Sequence, residues 1–188
     1  MREREFHEQS LAANGARVRD AVESDMEAIQ TLYAQHVLRG LATFEETPPS
    51  ATELRSRWRA VLQLGLPYLV AERDGAVAGF SYAGRYRDRS AYRFTIEDSV
   101  YVAEGAGGRG IGGALLRELV SRCEAGPWRQ MIAVIGDSSN TASVALHRSC
   151  GFASVGTLAS VGFKHGRWVD VVLMQRPLGA GGRSNPVG

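Results

Sequence analysis

The chain has 188 residues, 44% of them hydrophobic and 22% charged. That composition builds one globular domain with a sizeable core, and it excludes collagen-like, coiled-coil and low-complexity classes. Twenty-two basic residues against twenty acidic ones leave a formal charge of +2, too small for nucleic acid or an anionic membrane to be the main partner. Cys123 and Cys150 are too few for a disulfide framework and match no zinc spacing, so the expected compartment is a reducing cytoplasm. The segment MREREFHEQSLAANG lacks the apolar core of a signal peptide, and no run approaches the ~20 apolar residues of a membrane-spanning helix.

Residues 1–15 and 179–188 are polar or glycine-rich and read as flexible tails around one domain, 16–178. A short strand is expected over Ala16–Ala21. Ser24 or Asp25 then caps a helix in which Met26, Ile29, Leu32, Tyr33 and Val37 recur at helical spacing as far as Gly40. A second helix starts at Ser50 or Thr52, carries Leu54, Trp58, Val61 and Leu62 on one face, and stops at Gly65-Leu66-Pro67. Tyr68–Glu72 and Val77–Gly84 read as a hairpin turned by Asp74-Gly75. A polar loop with Arg85, Arg87, Arg89 and Arg93 leads into a long strand, Phe94–Val102. The glycine-dense stretch Glu104–Gly113 runs into a helix, Ile111–Cys123, with Leu115, Leu116, Leu119 and Val120 as its buried stripe. Met131–Ile135 reads as a buried strand, Asp137–Asn140 caps a helix through Cys150, and Gly151 follows as its terminating glycine. A closing hairpin spans Ala153–Gly162 and Trp168–Gln175 around Lys164–Arg167. The order β-α-α-β-β-β-α-β-α-β-β predicts an α/β (α+β) layered domain. Its sheet is mixed, mostly antiparallel, of about seven strands with one parallel step, flanked by four helices.

Five glycines crowd Gly107-Gly108-Arg109-Gly110-Ile111-Gly112-Gly113 between a strand and a helix. Unpaired N–H groups and the helix dipole converge there, which suits a phosphate. Gly108-x-Gly110-x-x-Gly113 also satisfies the dinucleotide fingerprint, with Asp137 standing for the ribose-binding acid. That fingerprint normally opens a repeated β-α-β array, and this one follows 100 residues of helices and hairpin strands. A glycine turn serving only tight strand-to-helix packing is the bland alternative. Glu97 and Ser99 share one face of their strand just before this loop, and Asp98 faces the other way. Glu97 is either a proton acceptor or an exposed carboxylate in a surface ion pair. Cys150 three residues after His147 invites a nucleophile or metal reading, but no third ligand or orienting acid is spaced for it. Trp58, Trp128 and Trp168 are not interleaved with basic residues and read as packing or interface groups.

Together with TFEETPP, AYRFTIEDSVYV, AVIGDSSNTASVALHRSCGF and GFKHGRWVDVVLMQ, the glycine loop resembles the GNAT superfamily of acyl-CoA N-acyltransferases over about residues 17–178. Within it, these segments are similar to the phosphinothricin and methionine sulfone or sulfoximine acetyltransferases. The resemblance implies acetyl-CoA as co-substrate and no metal. It places the coenzyme along Val100, Tyr101 and Val102, with its pyrophosphate on Gly107, Gly108, Arg109, Gly110, Ile111 and Gly112, and the pantetheine near Asn140. Gly107 stands where the family motif opens with Gln or Arg, and Glu104 replaces a common proline, so Arg109 is the expected source of positive charge. By the same resemblance Glu97 is the general base. His147, where the wider superfamily carries a tyrosine, is the candidate proton donor to the thiolate. Arg87, Asp88, Arg89, Tyr92, Arg93, Glu97, Asp98 and Ser99 border the expected amino acid pocket, Phe44 and Glu46 are further candidates on the substrate side, and a homodimer is expected. Two other functions remain open: acetylation of a different amine, and a non-catalytic acyl-CoA sensor.

Overall fold

The computed structural model describes residues 15–186. Its elements are β1 (Arg17–Asp20), α1 (Met26–Arg39), α2 (Ala51–Gln63), β2 (Tyr68–Arg73), β3 (Ala76–Arg85), β4 (Thr95–Val102), α3 (Ile111–Glu124), β5 (Gln130–Gly136), α4 (Thr141–Ser149), β6 (Ala153–Lys164) and β7 (Arg167–Pro177). The strands form one seven-stranded sheet in the order β1-β2-β3-β4-β5-β7-β6, antiparallel except where β5 returns beside β4 through α3. This is the mixed α/β architecture that the sequence predicts.

Local chemistry sets the element boundaries. Asp74 and Gly75 both have positive φ, 52° and 77°, and close the β2–β3 hairpin in two residues. His165 and Gly166 do the same, at 51° and 73°, for β6–β7. The Ser50 side chain accepts from Glu53 N–H at 3.1 Å and caps α2. Asp25 makes no such cap for α1. Its carboxylate instead accepts from Val22 N–H at 2.8 Å and from the Arg19 guanidinium at 2.7 and 2.9 Å, tying β1 to the helix start.

Helices α1 and α2 cover one face of β2–β4, where Tyr33 meets Phe80 and Tyr101 edge-on. Helix α3 covers the other face, burying Ile111, Leu115, Leu116 and Leu119. The Ser138 hydroxyl and the Ser160 N–H both bond Asp170, bracing the irregular middle of β6. Residues 1–14 and 187–188 of the expected tails lie outside the described residues. Residues 179–185 do not hang free. A 3-10 turn at Gly181–Arg183 folds them back, and Arg129 donates to the Ser184 hydroxyl at 2.8 Å and to the Asn185 carbonyl at 3.0 Å.

Candidate active site

Strands β4 and β5 pair only from Thr95↔Gln130 to Asp98↔Ala133, and beyond that point they diverge. Along β4, Ala103 N–H donates to Ala78 of β3, while Phe94 C=O accepts from Gln130. Backbone polar groups alternate sides along a strand, so Val100 turns its N–H and C=O into the gap, where β5 no longer meets them. The Val102 carbonyl is taken by His36 Nε2 at 3.0 Å, which closes the far end. The gap is the mouth of a cavity of about 300 Å³ that reaches both faces of the sheet. Tyr33, Thr43, Glu45, Tyr82, Glu97, Ser99 and Tyr101 line it from the α1–α2 side. Asp98, Val100, Asn140, Ser143 and His147 line it from the other.

Glu97 sits partly buried on the first of these walls. Burial, helped by the nearby Asp98 charge and opposed by Arg87, pushes its carboxyl up from 4.5 to about 7. It therefore exchanges protons near neutrality, the property a general base needs.

The glycine loop delivers a helix N-terminus to the same region. Gly108 and Gly110 have φ of 73° and 78°, and Gly110 is the left-handed residue from which α3 starts. Both positions favour glycine on conformational grounds, and the first N–H groups of α3 remain without intrahelical partners. A Cβ at Gly112 would stand 3.2 Å from the Leu146 side chain, so this glycine brings α3 close to α4. Ile111 is buried beneath the loop, and Tyr101 and Val102 lead toward it. Arg109 is engaged by another group within the chain. Asn140 Oδ1 accepts from Ser143 N–H at 3.2 Å, capping α4, and Asn140 also borders the cavity.

Asp98 and His147 meet on the far wall, Nε2 to Oδ2 at 3.0 Å, with side chains 1% and 5% exposed. Asp98, expected to border the acceptor pocket, does line the cavity, with one carboxylate oxygen on the His147 imidazole. His147 Nδ1 lies 2.7 Å from the Ser143 carbonyl. Burial alone would lower this imidazole, but the Asp98 hydrogen bond and charge, with the Ser143 carbonyl, raise it above its ordinary value.

The arginine loop stands apart from the cavity wall. Arg87 stacks over Tyr86 at 5.0 Å and reaches Glu97 only through its charge, and Arg93 stacks over Phe94 at 4.6 Å. Tyr92 meets Tyr86 edge-on in a separate groove with Ile132 and Leu173, and Asp88 and Arg89 are exposed. Phe44 does line the cavity. Glu46 does not, but its charge acts on Lys164.

Sequence reasoning overlooked Tyr33, Thr43 and Glu45. Tyr33 O–H lies 3.0 Å from the Thr43 hydroxyl and donates to Glu45 at 3.1 Å, and Arg57 holds the same carboxylate at 2.6 Å. Lys164 is the chain's one lysine, and it is buried. It anchors this loop by donating to the Thr43 carbonyl at 2.7 Å. Only its rarity marked it in the sequence.

Comparison with known proteins places this geometry. Residues 30–152 match the family model described as the acetyltransferase (GNAT) family. Over 176 residues the chain is 58% identical to a phosphinothricin N-acetyltransferase of Alcaligenes faecalis, covering 94% of this chain and 89% of that protein. It is 37% identical over 161 residues to an L-methionine sulfoximine/L-methionine sulfone acetyltransferase of Pseudomonas paraeruginosa, covering 85% and 93%. A GNAT superfamily phosphinothricin acetyltransferase from Sinorhizobium meliloti, solved in complex with AcCoA, superposes with a TM-score of 0.88 at 50% identity, covering 92% and 93% of the two chains. The chain belongs to the GNAT acetyltransferase family.

Proposed function

We propose that this protein transfers the acetyl group of acetyl-CoA directly to the α-amino group of a small amino-acid-like acceptor of the phosphinothricin, methionine sulfoximine or methionine sulfone type. The observation that carries the reading is a carboxyl poised near neutrality, Glu97 at about 7, on the wall of a gap in the sheet that also exposes Val100 backbone groups.

The residues suit acetyl-CoA. The N–H groups at the start of α3 and along Gly107–Gly112 would hold the pyrophosphate, and Val100 and Asn140 would meet the pantetheine in the gap. The co-substrate supplies an activated thioester carbonyl. Glu97 takes the ammonium proton so that the amine lone pair can attack, directly or through a water. Val100 N–H, fixed by the β3–β4 ladder, is placed to stabilise the negative charge that develops on the carbonyl oxygen. His147 belongs to the side of the cavity where the leaving thiolate gains its proton. Arg87 supplies a positive field that favours an acceptor bearing a carboxylate or phosphinate. Arg89, Tyr92 and Arg93 serve the acceptor only if their loop closes over the cavity.

The protein works as a homodimer in the cytoplasm. Support for the dimer is the apolar surface along the closing hairpin, where Phe163 and Trp168 are 59% and 65% exposed and Val155, Leu158 and Val161 accompany them. Cys123 and Cys150 are free thiols, as suits a reducing compartment.

Thiol release from acetyl-CoA tests the reading across phosphinothricin, methionine sulfoximine, methionine sulfone, standard amino acids, polyamines and a peptide. Turnover concentrated on the first three is the expected result. Acetyl-CoA binding without turnover of any amine would favour a sensor, and preferred turnover of polyamines or the peptide would overturn the acceptor class.

A further inference from the structure

His147 is held between two acceptors. Nε2 faces the Asp98 carboxylate at 3.0 Å and Nδ1 faces the Ser143 main-chain carbonyl at 2.7 Å. Neither acceptor can donate as a carboxylate or a carbonyl, so the arrangement is fully satisfied when both ring nitrogens carry protons, as an imidazolium. A cation with both N–H groups turned inward is poorly placed to give a proton to a substrate itself. Its outlet is Ser143. The Ser143 hydroxyl lies 3.4 Å from Nδ1, its N–H is fixed by Asn140 at 3.2 Å, and it lines the cavity.

We infer that Ser143 is the catalytic group that delivers the proton to the leaving sulfur, with His147 and Asp98 as positioning residues that keep that proton available. The inference rests on the acetyl-transfer reading above. As the N–C bond forms, the C–S bond breaks and its electron pair leaves on sulfur. The Ser143 hydroxyl gives its proton to that sulfur while Nδ1 of His147 replaces it. The neutral imidazole then regains a proton from solvent, and the two protons shed by the attacking ammonium leave through Glu97.

The surroundings of the ring favour the charged form. From β4 comes Asp98, from α4 the Ser143 carbonyl, and after α4 the Phe152 ring packs edge-on at 5.1 Å. Cys123 of α3 borders Asp98, and its thiol, pushed up to about 12 by burial and then by that charge, stays neutral. On the opposite face of β4 lies Glu97. The unpartnered Oδ1 of Asp98 leaves that carboxylate bonded to the imidazolium alone among the described side chains. The pair is thereby strongly coupled.

Nitrogen-15 NMR of the His147 ring in the full-length protein, combined with single-turnover acetyl transfer, tests this. In the wild type both ring nitrogens should be protonated at neutral pH, with the ring losing its proton at a higher pH than a free imidazole. Asp98→Asn should move that loss to lower pH, with transfer falling as pH rises through it. Ser143→Ala keeps the main-chain carbonyl, so the ring should stay charged while the single-turnover rate drops roughly 100-fold. Ser143→Thr should restore most of that rate. A neutral ring in the wild type, or full speed in Ser143→Ala, would overturn the proposal. A wild-type protein that binds acetyl-CoA, acetylates no amine and still shows the ring cation would refute the transferase reading and the Ser143 step with it, leaving only the ion pair.

Discussion

Glu97 shows how one side chain acquires its proton affinity from its surroundings. Its place on the strand face with Ser99 is legible from alternation alone. Its affinity for protons is not, because that depends on burial and on charges brought by Asp98 and the Arg87 loop. The same shift predicts a stability effect. Between pH 4.5 and about 7 the folded chain holds a proton at Glu97 that the unfolded chain has lost, so this contribution is full below 4.5 and declines as pH rises through 7. Glu97→Gln should therefore be more stable than the wild type by ~2 kcal/mol near pH 8 and indistinguishable from it near pH 4. Urea unfolding at the two pH values checks this, and equal stability at both would contradict it. The Asp98–His147 contact, between residues 49 apart in sequence, could not be read in advance. Strand alternation turned Asp98 away from Glu97, and only the packing of α4 showed what it meets.

Among the elements, the turns and caps were the most legible, since Asp74-Gly75 and Ser50 act through their own backbone neighbours. Of the two expected caps, Ser24 or Asp25, it is Asp25 that stands at the N-cap of α1, but its side chain makes no cap bond, because a charge-assisted partner, Arg19, lies on the preceding strand. In the proposed function, coenzyme binding depends on the start of α3. Gly110→Ala would force an L-residue to φ 78° at the helix start. It should destabilise the fold by ~1 kcal/mol and weaken acetyl-CoA binding at least tenfold by calorimetry, through displacement of the N–H groups. Unchanged affinity would remove the loop from the coenzyme site.

For the whole molecule, the order of elements and the single parallel step followed from hydrophobic pattern and short connections, whereas the order of strands in the sheet and the cavity did not. The cavity exists because the β4–β5 ladder stops at Asp98↔Ala133, a matter of how two strands twist apart rather than of any motif. The loop over it is held from across the fold, by Lys164 on the Thr43 carbonyl, 121 residues away. Gly162 leaves room there for the Phe44 ring, which a Cβ would meet at 2.4 Å. On the closing hairpin, Trp168→Glu should convert a dimer to a monomer by light scattering, and a wild-type protein already monomeric at micromolar concentration would refute the dimer.

The central claim is that Glu97 activates the amine in an acetyl transfer. The most direct measurement is kcat/KM against pH for acetylation of phosphinothricin or methionine sulfoximine, for the wild type and Glu97→Gln. The wild type should rise with pH and level off above about 7, where the Glu97 carboxyl has lost its proton. The variant should be slower by roughly 100-fold or more and lack that limb. A flat wild-type profile through this range, or a variant with the wild-type rate, would contradict the account.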